Sequence, residues 1–203
     1  MTAIILHEDP VSGNCYKIRL TAAHVGVALE RRFYDVLKGE TRTPAFLADI
    51  NADGRIPVLQ VGDWFLPESN AACLYLAEGS SLIPAEREAR AEMFRWLFWE
   101  QYSHEPNVAT VRFWRTYVGA ANLSDLQRTL LPVKQAVGAA ALGLMERHLA
   151  TRSFFVGATP TLADIALYAY THVASDGGFV LGDYPAVQAW LARVAASPEH
   201  VPM

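Results

Sequence analysis

Ser12-Gly13-Asn14-Cys15 is the stretch whose reading decides the fold. A short apolar run, Ile4-Ile5-Leu6, and a turn signal, Asp9-Pro10, precede it. After it, Cys15, Ile18, Ala22 and Val25 recur at helical spacing and give one apolar face, with Lys17 and Arg19 expected to point elsewhere. The segment reads as a strand, a loop and a helix that starts near Ser12. Ser, Gly and Asn all suit a helix start. Such a start exposes unpaired N–H groups and the positive end of the helix dipole, so it favours an anion. Ser12 and Asn14 can add side-chain donors at the same point. Ser12 also reads as an ordinary N-cap, and the stretch taken alone favours that plainer reading.

The chain has 203 residues, enough for one large domain or two small ones. Charged residues make up 19%, below the usual quarter, which suggests that a partner covers part of the surface. A net charge of −4 gives no electrostatic reason to expect nucleic acid. Only two cysteines occur, Cys15 and Cys73, as suits a reducing cytoplasm. The N-terminus lacks a basic region, and His7-Glu8-Asp9 interrupts its apolar start, so no secretory signal is expected. No apolar run approaches the roughly 18 residues of a membrane span. A soluble cytoplasmic protein with no bound metal is expected.

Working outward, residues 1–79 alternate strand-like and helix-like segments. A strand over about Ala3–Leu6 and a helix over about Gly13–Val25 are followed by a strand near Glu30–Val36. Thr43-Pro44 reads as an N-cap with proline at the first helical position. Val58–Val61 and Trp64–Leu66, separated by Gly62-Asp63, read as a hairpin, and Glu68-Ser69 opens another helix that closes at Gly79. The order β-α-β-α-β-β-α builds a mixed sheet with helices packed on it. Ser80–Pro84 reads as a linker, and residues 85–203 as an all-helical domain. Ala85–His104, Ser124–Leu149, a capping box at Thr161–Asp164 and a proline-led helix from Pro185 carry that reading. Pro132 implies a kink in the second of these helices or a later start.

Two further motifs carry chemistry. A proline at a strand entrance, as in Ile56-Pro57-Val58-Leu59, cannot supply a ladder N–H and suits an edge or a loop end. Its X-Pro bond can be cis, which exposes the backbone of X to a ligand. Glu68-Ser69-Asn70 offers a carboxylate for an ammonium and N–H groups for a carboxylate, a pair that fits an α-amino acid head. Its plainer reading is another cap.

In combination, Ser-x-x-Cys after the first strand, Ile-Pro before the third, Glu-Ser after the fourth and Thr-Leu-Ala-Asp-Ile-Ala-Leu at 161–167 resemble the cytosolic glutathione S-transferase superfamily over essentially the whole chain. The likeness is to its serine-type, theta-like and delta-like bacterial classes. The resemblance implies a thioredoxin-like N-terminal domain, an all-α C-terminal domain, glutathione as co-substrate, a small electrophilic substrate and a homodimer. It implies that Ser12 contacts the glutathione sulfur, with Asn14 assisting. Pro57 matches the cis-proline, Ile56 would pair its backbone with the cysteinyl part, and Glu68 and Ser69 match the residues that hold the γ-glutamyl head. Lys38 and Arg55 are candidates for the glycyl carboxylate, each with a solvated surface charge as its rival reading. Asn51-Ala52-Asp53-Gly54 stands where the family usually has an Asn-Pro-x-Gly turn. Tyr102, Phe113, Trp114 and Tyr117 are the aromatic candidates for the electrophile pocket, against the plainer reading of aromatics at helical spacing as core. Cys15 reads as a buried structural thiol rather than a redox one. The competing functions are glutathione-dependent disulfide reduction and a non-catalytic binding or regulatory protein on the same fold.

Overall fold

A computed structural model describes residues 3–203 and divides them into two compact units. The first holds the residues up to Ile83 together with Pro198–Met203, and the second holds Pro84–Ser197.

The first unit is a four-stranded mixed sheet in the order β2-β1-β3-β4. Its strands are β1 (Ile4–Glu8), β2 (Glu30–Phe33), β3 (Val58–Val61) and β4 (Trp64–Pro67). The helices are α1 (Gly13–His24), α2 (Pro44–Asp49) and α3 (Ser69–Ala77). β2 runs parallel to β1, as a helical crossover requires, while β3 and β4 are antiparallel to their neighbours. Ile5, Leu6, His7 and Glu8 on β1 are all buried, so this strand is covered on both faces. α1 packs against α3. On the His7 side of the sheet Tyr34 meets Phe46 of α2 edge to face, with 5.0 Å between centroids.

Two expectations need correction here. Lys17 does not point to solvent but is fully buried, and Arg19 is tucked in against Glu8 at 3.3 Å. α1 has more than one covered side: besides the sheet and α3, the C-terminal residues reach it. Tyr16 donates its hydroxyl to the Val201 carbonyl at 2.6 Å and lies 3.2 Å from His200 Nε2. The second strand is also shorter than its apolar alternation implied. Its ladder ends at Phe33, all four residues are exposed at the sheet edge, and Tyr34 adds one last bond from its N–H to the Glu8 carbonyl.

The second unit is helical: α4 (Arg87–Trp99), α5 (Glu105–Phe113), α6 (Asp125–Leu149), α7 (Leu162–Thr171) and α8 (Pro185–Ala195). Where the sequence reading stops a helix at His104, the chain stays helical to Val118 through two π-helical segments, Glu100–His104 and Trp114–Val118. Pro106 has no N–H to give, and it falls where the wide first segment passes into α5. α6 starts at Asp125 under a full Ser124–Gln127 capping box and runs on past Pro132 without a later start. Trp96, Phe155 and Trp190 stack edge to face in the core. Asp164, fully buried at the start of α7, accepts from the backbone of Phe155 and Thr161, from Thr161 Oγ1 and from Trp190 Nε1 at 2.9–3.1 Å. One carboxylate thereby caps α7 and ties it to α8 and to the 150s loop. No helix among the described residues is long and apolar enough to cross a membrane.

Candidate functional site

The register of the sheet gathers the sequence motifs. His7 lies opposite Val58, and Val58 opposite Pro67. The exit of β1, the entrance of β3 and the exit of β4 therefore lie side by side at one end of the sheet. β2 runs parallel to β1 with Phe33 opposite Glu8, so its exit is there as well. The loops that follow bring Ser12–Asn14, Ile56–Pro57 and Glu68–Ser69 to that same end.

Ser12 is the N-cap of α1: extended, with Oγ accepting from the Cys15 N–H at 3.4 Å. A hydroxyl that accepts in this way still has its proton to give. The loop before it is fixed on both sides. Asp9 turns it through bonds from the backbone N–H groups of Ser12 and Val11, and Arg19 donates to the Pro10 carbonyl at 2.9 Å. Arg19 is held in turn by Glu8, which is fully buried and also takes the Nε of Arg31. Sequence reasoning missed this Glu8–Arg19–Arg31 group. Arg19 reads there as an ordinary solvated charge, and no spacing marks it otherwise.

Asn14, in the first turn of α1, accepts a hydrogen bond from Ser69 Oγ at 3.3 Å. This bond joins the starts of α1 and α3. Ser69 is 4% exposed and is the first residue of α3, with Glu68 exposed just before it. Glu68 has φ +73° and ψ +113°, the one positive φ among the non-glycine residues described. A side chain held there costs about 1–3 kcal/mol, a cost that clusters at ligand sites. The Ile56–Pro57 bond is cis, with Pro57 buried and Ile56 half-buried.

The remaining candidates are more loosely placed. Lys38 is 75% exposed and ion-paired to Asp35 at 3.0 Å within its own loop. Arg55 is exposed, and its carbonyl accepts from Asn51 Nδ2 at 3.0 Å. The Asn51–Gly54 turn closes normally without a proline, through the Gly54 N–H on the Asn51 carbonyl.

Cys15 is fully buried, and burial pushes its thiol up to about 12, against the smaller opposing pull of Ser12. His7 on β1 is also buried, between the Tyr34 hydroxyl and Gln60 Oε1, each at 2.9 Å. Burial, helped by the Arg32 charge, pushes the His7 pKa down.

In the second unit the four aromatic candidates are not core residues. Phe113 and Tyr117 stack with centroids 5.9 Å apart, and Arg112 donates to the Tyr117 hydroxyl at 2.8 Å while pairing with Asp176. Tyr102 is 87% exposed, and Trp114 lies 5.9 Å from Lys134 Nζ, so neither joins that stack.

The comparisons with known proteins agree with this fold. Residues 6–78 match the family model "Glutathione S-transferase, N-terminal domain", and residues 130–193 match "Glutathione S-transferase, C-terminal domain". Glutathione S-transferase 3 of Zea mays is 31% identical, over 98% of this chain and 91% of its own. Glutathione S-transferase 2 of Anopheles gambiae is 30% identical, over 93% and 88%. The crystal structure of a glutathione S-transferase from Pseudomonas fluorescens superposes with a TM-score of 0.92 at 44% identity, covering 99% of this chain and 98% of that one. With a thioredoxin-like first unit, a helical second unit and relatives matched over nearly their whole length, the chain belongs to the cytosolic glutathione S-transferase superfamily.

Proposed function

We propose that this protein is a glutathione transferase that binds glutathione at the shared end of the first unit's sheet and stabilises its thiolate for attack on a small, apolar electrophile. The Ser69–Asn14 hydrogen bond carries the reading, because it locks two helix starts together at the end of the sheet where Ser12 and Pro57 also lie. Glu68 and Ser69 are assigned to the γ-glutamyl head, Ile56 and Pro57 to the cysteinyl backbone, and Arg55 or Lys38 to the glycyl carboxylate. Phe113 and Tyr117 are assigned to the apolar part of the electrophile.

The energetics define what Ser12 has to do. A free thiol of this type has a pKa of roughly 8.5. Lowering it by two units requires about 2.7 kcal/mol of preference for the thiolate. A helix dipole supplies about 0.3–1 kcal/mol. A hydrogen bond to a charged group adds roughly 1.5–3 kcal/mol. The helix start is therefore insufficient alone, and the Ser12 hydroxyl, with Asn14 beside it, supplies the remainder. Glutathione is the nucleophile: its sulfur bonds to the electrophilic carbon, and the displaced electron pair leaves with the leaving group. Cys15 opposes the disulfide-reductase reading, since a buried thiol that ionises at about 12 is a poor attacking group at neutral pH.

We also infer a homodimer. Phe98 (72% exposed) and Tyr102 (87%) on the helical run from α4, and Tyr75 (45%) on α3, leave large apolar area on those helices. A monomer by sedimentation at micromolar concentration would remove this inference. The functional test is a glutathione-dependence assay across an aryl halide, an organic hydroperoxide and a mixed disulfide. Turnover of the halide or the hydroperoxide is expected. Glutathione binding with no turnover of any of the three would make this a binding protein instead.

A further inference from the structure

The helical unit holds a cavity of about 450 Å³ where the end of α6 and the following loop meet α8. Arg152 and Arg193 line it, with Thr151, Ser153, Ala186 and Ala189. It is an open depression on the surface, with Thr151, Arg152, Ser153, Ala189 and Arg193 exposed. Its lining carries two positive charges and no carboxylate. Among the described residues neither arginine is ion-paired: Glu92, whose carboxyl feels the Arg152 charge, is bonded to Arg95. Arg193 Nε donates to the Ser153 carbonyl at 3.1 Å. That bond uses one of the five N–H donors of a guanidinium and fixes the group on the cavity wall. Complementing the α6 dipole does not explain the pair, because Arg147 and His148 already stand in the last turn of that helix. Likewise the start of α8 already has its anion, since Glu146 accepts from the Ala186 and Val187 N–H groups.

We propose that this cavity is a binding site for a small organic oxyanion, a carboxylate or a phosphate monoester on a short apolar body. Arg152 and Arg193 take the oxygens, for which a planar guanidinium fork is well shaped. The Thr151 and Ser153 hydroxyls add donors, and the alanine methyl groups cover the apolar body. All the lining residues belong to the second unit, so the proposal stands apart from the glutathione reading.

The test is calorimetry on the full chain with benzoate, phenyl phosphate and neutral benzamide, and with the variants Arg152→Gln and Arg193→Gln. Benzoate or phenyl phosphate should saturate with a Kd below about 1 mM, with benzamide at least about tenfold weaker. Each variant should weaken the anion by at least about fivefold, with unchanged near-ultraviolet circular dichroism. Arg152→Gln decides the matter if Arg193→Gln loosens the 153 loop, because Arg152 makes no comparable tie. Amide shifts on anion binding should centre on Thr151 and Ser153. No saturable anion binding, equal affinity for benzamide, or full affinity in Arg152→Gln would each overturn the site.

Discussion

Glu68 separates stability from function in a way that two substitutions can measure. Its φ of +73° holds a side chain where a Cβ is disfavoured, at about 1–3 kcal/mol. Glu68→Gly removes the Cβ part of that cost but gives the unfolded chain extra freedom worth about 0.4–1 kcal/mol. The balance is a protein more stable by about 1 kcal/mol. Glu68→Ala keeps the Cβ, and Glu68 makes no side-chain cap bond to α3, so its stability should stay within about 0.5 kcal/mol of the parent. Both variants lose the carboxylate proposed to hold the ammonium of glutathione. Both should lose about 1.5–3 kcal/mol of binding, or roughly ten- to a hundredfold in Kd. Guanidinium denaturation with a constant slope and calorimetric titration of glutathione read the two quantities. Undiminished glutathione affinity in Glu68→Ala removes Glu68 from the site. A destabilised Glu68→Gly shows that the backbone there is not strained.

Three further outcomes are expected. Ser12→Ala should raise the pKa of bound glutathione, read by thiolate absorbance against pH, whereas Ser12→Asp, which also caps a helix well, should keep the stability and lose the thiolate. An unchanged pKa in Ser12→Ala, with a raised one in Asn14→Ala, moves the role to Asn14. Cys15, with its thiol pushed up to about 12, should resist alkylation by iodoacetamide at pH 7.5 in the folded protein and react once it is denatured, as mass spectrometry would show. The depressed pKa values of His7, His148 and His200 mean that the unfolded chain binds more protons than the folded one below the ordinary histidine value of 6.5. Their stabilising contribution is therefore complete above pH 6.5 and is lost as the pH falls through the folded values. Denaturation midpoints at pH 7 and 5 should show the fall, and His7→Gln should shrink it.

Local signals made most of the fold legible. Proline at the start of α2 and α8, the Ser124 and Thr161 boxes, and Gly62-Asp63 between two apolar pairs are interactions of near neighbours, so the sequence displays them directly. The burial of Lys17 was hidden because it depends on what covers α1, including residues 198–203 from the far end of the chain. The π-helical segments were hidden for a related reason. For the first of them, Pro106 lacks the N–H that an α-helical turn would use, and it falls where the widened segment passes into α5. In the site, Ser12, Pro57 and Ser69 could be read as residue types in a given order. The group that fixes the loop before Ser12, Glu8 with Arg19 and Arg31, could not, because it joins β1, α1 and β2 across charges that each look solvated.

Under the proposed function, Ser12 combines a cap and a chemical role in one side chain. Without the Ser12 oxygen, the Cys15 N–H in the buried first turn of α1 would lose its acceptor. That need fixes the polarity of the hydroxyl: a lone pair points into the helix, and the proton is what remains to be given away. A thiolate requires a donor of that kind. The buried cysteine three residues on is thus what keeps the serine oriented as a donor, and it does so through its backbone. Its own sulfur is buried, and burial pushes the thiol up to about 12, so the proposed chemistry does not draw on it.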